Sequence, residues 1–130
     1  MEFTVKTIIN AEPSAIYHAW LNSKQHSKMT GSKAKVSDHI GETYSAWDGY
    51  ISGMNLVLVE NKQIIQTWRT TEFDTFDENS QLEIDFKPVP EGTEITLVHT
   101  NLPYPNDQYK RGWEDHYFAP MKQYFEHVND

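Results

Sequence analysis

Six histidines and nineteen acidic side chains are what this 130-residue sequence offers for acid–base or metal chemistry. Their spacing organises little of it. The sequence contains no Gly-x-Ser-x-Gly, Gly-x-Gly-x-x-Gly or His-Glu-x-x-His pattern and no phosphate-cradling Gly/Lys loop. No nucleophile, phosphate or metal is therefore positioned by a known local device. Cysteine is absent, which removes disulfides and thiolate metal sites. His116 and His127 stand eleven residues apart, three helical turns, and would share a helix face. With no third ligand nearby in sequence they read as exposed helix residues, and no metal, cofactor or catalytic residue is expected.

His99 is different. It continues the alternation of Ile95 and Leu97, so it should point to a buried face. Three roles fit that position: a core histidine satisfied by a hydrogen bond, a polar handle in a pocket, and a general base, although no partner acid is identifiable. Asn55 shares parity with Ile51, Gly53, Val57 and Val59. A buried amide there must find partners; a ligand contact, edge exposure or a strand irregularity at Gly53 would each account for it. Trp20, Tyr44, Trp68, Trp113 and Tyr117 are the large residues expected around the interior, as core or as pocket wall. Trp47, on the opposite parity to Tyr44 and beside a turn, is expected to cover the outer edge. Gly112 is expected to let a helix start approach the sheet closely.

These residues need elements to hold them. Phe3, Val5, Thr7 and Ile9 alternate as a strand, and Pro13 then opens a short amphipathic helix over 13–21 carrying Ile16, Ala19 and Trp20. Residues 23–29 add a polar turn or a second helix. Strand periodicity follows at 33–37, 41–47, 50–60, 63–70, 81–87 and 93–100. Asp48-Gly49, Glu60-Asn61-Lys62 and Pro90-Glu91-Gly92 form the turns between antiparallel neighbours. Residues 101–107 hold two prolines and read as a loop. Gln108 to Val128 reads as a helix whose apolar face carries Trp113, Tyr117, Met121, Tyr124 and Val128. Pro120 in its middle should bend it. Segregated helices and an antiparallel sheet predict one α+β domain over 1–130.

Charge narrows the partners. The formal net charge is −8, which repels phosphate backbones, so nucleic acid is not an expected partner. Lys24, Lys28, Lys33 and Lys35 lie within twelve residues, whereas residues 72–85 hold six acids and no base. Such runs are solvated faces or partner surfaces. No stretch resembles a signal peptide or a membrane span, so a cytoplasmic location is expected.

Several stretches resemble one known family. Met29-Thr30-Gly31 with Ala34, and Gly41-Glu42-Thr43-Tyr44, are two of them. Trp47-Asp48-Gly49-Tyr50-Ile51 with Gly53 and Ile64-Ile65-Gln66-Thr67-Trp68-Arg69 are two more. Gly92-Thr93, Leu102-Pro103, Gly112-Trp113 and Tyr117-Phe118-Ala119-Pro120-Met121-Lys122 complete the set. Their order and spacing over about residues 11 to 125 are similar to those of the Aha1-type (activator of Hsp90 ATPase homologue 1-like) family, within the START-like superfamily. The resemblance implies a helix-grip fold: a curved antiparallel sheet of six to seven strands around a long C-terminal helix, with one or two short helices after the first strand. It also implies binding of a hydrophobic small molecule or lipid between sheet and helix, with Trp20, Tyr44, Asn55, Trp68, His99, Trp113 and Tyr117 as contacts. The alternative it implies is an Hsp90 co-chaperone-like interaction module, presenting Lys24, Lys28, Lys33 and Lys35 to the chaperone. A third reading is a cyclase- or hydrolase-like enzyme dependent on His99.

Overall fold

The computed structural model describes residues 1–103 and 107–129, with side chains through residue 126. The side chains of His127 and Val128 therefore lie outside the described residues. Strand β1 (Phe3–Ile9) leads into helix α1 (Pro13–Trp20), which has proline in its first turn and buries Ile16, Tyr17, Ala19 and Trp20. Helix α2 (Ser23–Thr30) is polar and buries only His26 and Met29. Its ends explain why it forms: Asn22 Oδ1 accepts from the Gln25 N–H at 2.9 Å, and Gly31 closes it at φ 78°.

The sheet contains β2 (Thr43–Ala46), β3 (Ile51–Val59), β4 (Gln63–Thr70), β5 (Ser80–Val89) and β6 (Gly92–Thr100) as well as β1. The order is β1-β6-β5-β4-β3-β2, and every neighbouring pair is antiparallel. Residues 33–37, expected as a strand, contribute only one bridge, Lys35 with Ser45, which leaves six strands. The segment is held instead by side chains: Ser23 Oγ and Ser27 Oγ accept from the Val36 and Ala34 N–H groups.

The concave face carries alternate residues of each strand. One row runs Phe3, His99, Leu82, Gln66, Asn55 across five strands. The register shifts between Asn55 and Val57. This bulge turns Val57 and Val59 outward, so the inward parity expected for them ends at Asn55.

The C-terminal helix comprises α3 (Asp107–Trp113), a π-helical turn (Glu114–Phe118) and α4 (Ala119–Asn129). In the π turn the Ala119 N–H donates to Glu114 O, five residues back. Pro120 explains the irregularity. A regular α-turn would drive its ring against the carbonyl four residues earlier, and widening the preceding turn relieves this. The wider turn also lets consecutive residues, Tyr117 and Phe118, both be buried.

Candidate functional site

Two histidines hold the C-terminal helix in place, His99 from the sheet and His26 from α2, and their tautomers follow from their partners. On β6, His99 is fully buried. The Trp113 indole N–H donates to its Nδ1 at 3.1 Å. An indole nitrogen can only donate, so Nδ1 carries no proton and Nε2–H must donate to Ser80 Oγ, 2.8 Å away. Ser80 in turn donates to the Trp68 carbonyl at 2.6 Å. Burial pulls the His99 pKa down to about 3. This pair cannot act as base and nucleophile, because the histidine gives its proton toward the serine rather than taking one.

His26, on α2, is arranged the opposite way. Its Nδ1 lies 2.8 Å from the Trp20 carbonyl, which can only accept, so Nδ1 carries the proton. Nε2 then accepts from the Tyr117 hydroxyl at 3.0 Å. Burial lowers the His26 pKa and raises that of Tyr117; a hydrogen bond from the Trp47 indole opposes the latter. Sequence reading missed His26 because α2 has no apolar stripe to mark an inward position.

Rings fill the space between these two chains. Tyr117 stacks 4.9 Å from both Trp20 and Trp113, and Trp68 lies 4.5 Å from His99 and 5.9 Å from Trp113. Five of the sequence-named residues, Trp20, Trp68, His99, Trp113 and Tyr117, thus come together. Tyr44 stands apart, its ring over Gly53 and its hydroxyl donating to the Thr67 carbonyl at 2.7 Å. Asn55 is not in this cluster either. Its Nδ2 donates to the Ser37 and His39 carbonyls, and its Oδ1 accepts from Gln66 Nε2. The side chain is fully engaged in pinning residues 37–39 to the sheet and offers nothing to a ligand.

Open space lies beside the cluster. A cleft of about 480 Å³ separates the β2–β3 turn from the start of the C-terminal helix. Trp47, Tyr50 and Ile51 wall one side, Trp68 and Trp113 lie at its base, and Gln108, Arg111, Gly112, Asp115 and His116 form the helical rim. Trp47 does not cover an outer edge. Its ring packs edge-on against His116 and Tyr117, with centroids 5.6 and 6.3 Å away. The cause is the turn: Trp47 and Asp48 both have left-handed backbones, φ 53° and 56°, which rotate the indole toward the helix. For a bulky residue that conformation costs on the order of 1 kcal/mol or more. Gly112 also departs from expectation. A Cβ there would meet nothing nearer than His116 Cδ2 at 4.0 Å, so no close approach to the sheet requires glycine. A helical glycine costs about 1 kcal/mol relative to alanine.

Elsewhere, Lys24, Lys28, Lys33 and Lys35 are all exposed. Among the described residues no carboxylate forms an ion pair with any of them. No group of three His, Cys, Asp or Glu side chains among the described residues could hold a metal. No described helix is long and apolar enough to cross a membrane.

A six-stranded antiparallel sheet curved around a long C-terminal helix, with two short helices after the first strand, defines a helix-grip domain of the START-like kind. The chain belongs to the family described as activator of Hsp90 ATPase homolog 1-like protein, whose profile matches residues 10–126. It is 25% identical over 127 residues to the human activator of 90 kDa heat shock protein ATPase homolog 1, covering 95% of this chain and 37% of that protein. To homolog 2 of Mus musculus it is 29% identical over 101 residues, covering 78% and 28%. The chain therefore spans about a third of the length of these curated relatives. Among solved structures, an HSP90 activator from Plasmodium falciparum superposes with a TM-score of 0.88 at 21% identity, covering 97% of this chain and 96% of that one. The Aha1 dimer of Colwellia psychrerythraea gives 0.75 at 15% identity, covering 92% of each. At these identities the structural likeness concerns the fold.

Proposed function

We propose that the domain is a non-catalytic interaction module of the Hsp90 co-chaperone kind, docking on an Hsp90-type chaperone. The observation that carries this reading is the family match over residues 10–126, with relatives named as activators of the chaperone's ATPase. Two physical features support it. The rings expected to contact a hydrophobic ligand, Trp20, Trp68, His99, Trp113 and Tyr117, pack on one another, and polar atoms of His99, Trp113 and Tyr117 are engaged in the two histidine chains. And Lys24, Lys28, Lys33 and Lys35 are exposed, with no carboxylate ion pair among the described residues, on a chain of net charge −8. Exposed cations of this kind steer an acidic partner and set orientation.

The test is calorimetric titration of the full chain into the Hsp90 homologue of its own cell at two salt concentrations. The expected result is saturable binding that weakens with salt and by at least about ten-fold when the four lysines are replaced by glutamate. Absence of binding by the unmodified chain at roughly 100 μM refutes the reading.

A further inference from the structure

We propose that a second copy of this chain pairs antiparallel with the open edge of β3 at Leu56–Val59, joining the two sheets across a two-fold axis. This goes beyond the chaperone reading and does not depend on it.

The edge is open because β2 is short. Its pairing with β3 ends at Met54, and Gly41 and Glu42 extend it by two backbone bonds to Asn55. Beyond Asn55, no described residue bonds the outer edge of β3. The inner edge of the same stretch is a regular ladder on β4: Val57 opposes Ile65, Leu58 opposes Ile64 and Val59 opposes Gln63. Leu56–Val59 is thus a strand held straight on one side and free on the other. Strand edges are normally blunted by charge, proline or cover. Here the outer edge of β2 is bridged by Lys35, and β1 carries Lys6. From Ile51 to Val59 there is neither charge nor proline, and Leu56, Val57 and Val59 are exposed.

The faces select a copy of the same strand. Residues directly opposite each other in a sheet share a face. Leu58 packs against the core, whereas Val57 and Val59 point outward. A two-fold axis through Leu58 sets Leu58 against its own copy on the inner face. It sets Val57 against the second copy's Val59 on the outer face, twice over. Cross-strand pairs of β-branched residues stabilise such a ladder. No like charges meet: Glu60 falls opposite Leu56. The net charge of −8 on each copy opposes the encounter, so salt should strengthen this association. Docking through the exposed lysines would instead weaken with salt.

The experiment is sedimentation of the full chain from about 5 to 500 μM at low and high salt. A monomer–dimer equilibrium is expected, tighter at high salt. Amides within Leu56–Val59 should gain hydrogen-exchange protection as concentration rises. Val57→Lys and Val59→Lys should each weaken dimerisation by at least about ten-fold. Both positions face outward, so the melting temperature should change by no more than about 2 °C. Phe76→Ala removes a side chain that is 98% exposed in the β4–β5 loop and should leave dimerisation unaltered. The proposal is overturned by a chain that stays monomeric throughout, or by a dimer whose edge amides gain no protection. It is equally overturned if either folded lysine variant dimerises within about ten-fold of the unmodified chain, or if Phe76→Ala abolishes the dimer.

Discussion

Replacing Asn55 by alanine removes three hydrogen bonds at once, and the structure says which of them matters. Nδ2 donates to the Ser37 and His39 carbonyls at 2.9 and 3.1 Å, and Oδ1 accepts from Gln66 Nε2 at 2.8 Å. The two carbonyls lie on a partly exposed loop and can turn to water. Gln66 cannot: it is 1% exposed, and its Oε1 already has no partner among the described residues. Stranding its amide costs about 1–3 kcal/mol, and losing the loop bonds adds about 1 kcal/mol. The expected destabilisation is therefore about 2–4 kcal/mol. Unfolding entropy of about 2.1 cal/mol/K per residue converts this, over 130 residues, to a fall in melting temperature of about 7–15 °C. A cycle with Asn55→Leu and Gln66→Met separates causes. Each single change strands a buried polar partner, whereas the double change removes both and should recover at least half the loss. Denaturant unfolding of the four proteins measures it. A loss below about 1 kcal/mol for Asn55→Ala, or additivity within about 0.5 kcal/mol in the cycle, would refute the reasoning.

Two further outcomes follow from the same interior. His99 is held near pKa 3 in the fold, against about 6.5 in the unfolded chain. The neutral form is thus favoured by folding: its stability is complete above about pH 6.5 and is lost as pH falls toward 3, by up to about 1.4 kcal/mol per pH unit. His26 acts in the same direction. Melting temperature measured from pH 7 to 4.5 should fall less steeply for His99→Gln than for the unmodified chain, and an equal slope would contradict the assignment. Gly53→Ala should prevent stable folding, because a Cβ there overlaps the Thr67 carbonyl and the Tyr44 ring. Circular dichroism and soluble yield report this directly, and a variant that melts normally would mean the β2–β3–β4 packing is looser than described.

The elements were legible wherever one face alone decided burial. The alternation of Ile95, Leu97 and His99 placed all three inward, and the spacing of Trp113, Tyr117 and Met121 placed the helix face. The family motifs then supplied the helix-grip arrangement, which periodicity alone does not specify. Two of the misreadings share a cause: a local backbone irregularity changed which way a side chain points. The bulge after Asn55 reversed Val57 and Val59. Left-handed residues at the turn carried Trp47 from an outer edge to the helix. Strand 33–37 dissolved into serine-held loop because its hydrogen bonds go to Ser23 and Ser27, a pairing across thirteen and seven residues that no periodic signal records. Gly112 was misread because a glycine's reason lies in what surrounds it, and here open space surrounds it.

His26 and His99 also show why residue type could not separate core from site. Each is a titratable ring among aromatics, and on composition each could serve a pocket. Their partners decide otherwise. A donor-only indole leaves His99 Nδ1 bare, and an acceptor-only carbonyl keeps the proton on His26 Nδ1. The remaining nitrogen of each ring is then committed to Ser80 or to Tyr117. No interior donor or acceptor of these two chains is left to recognise a guest.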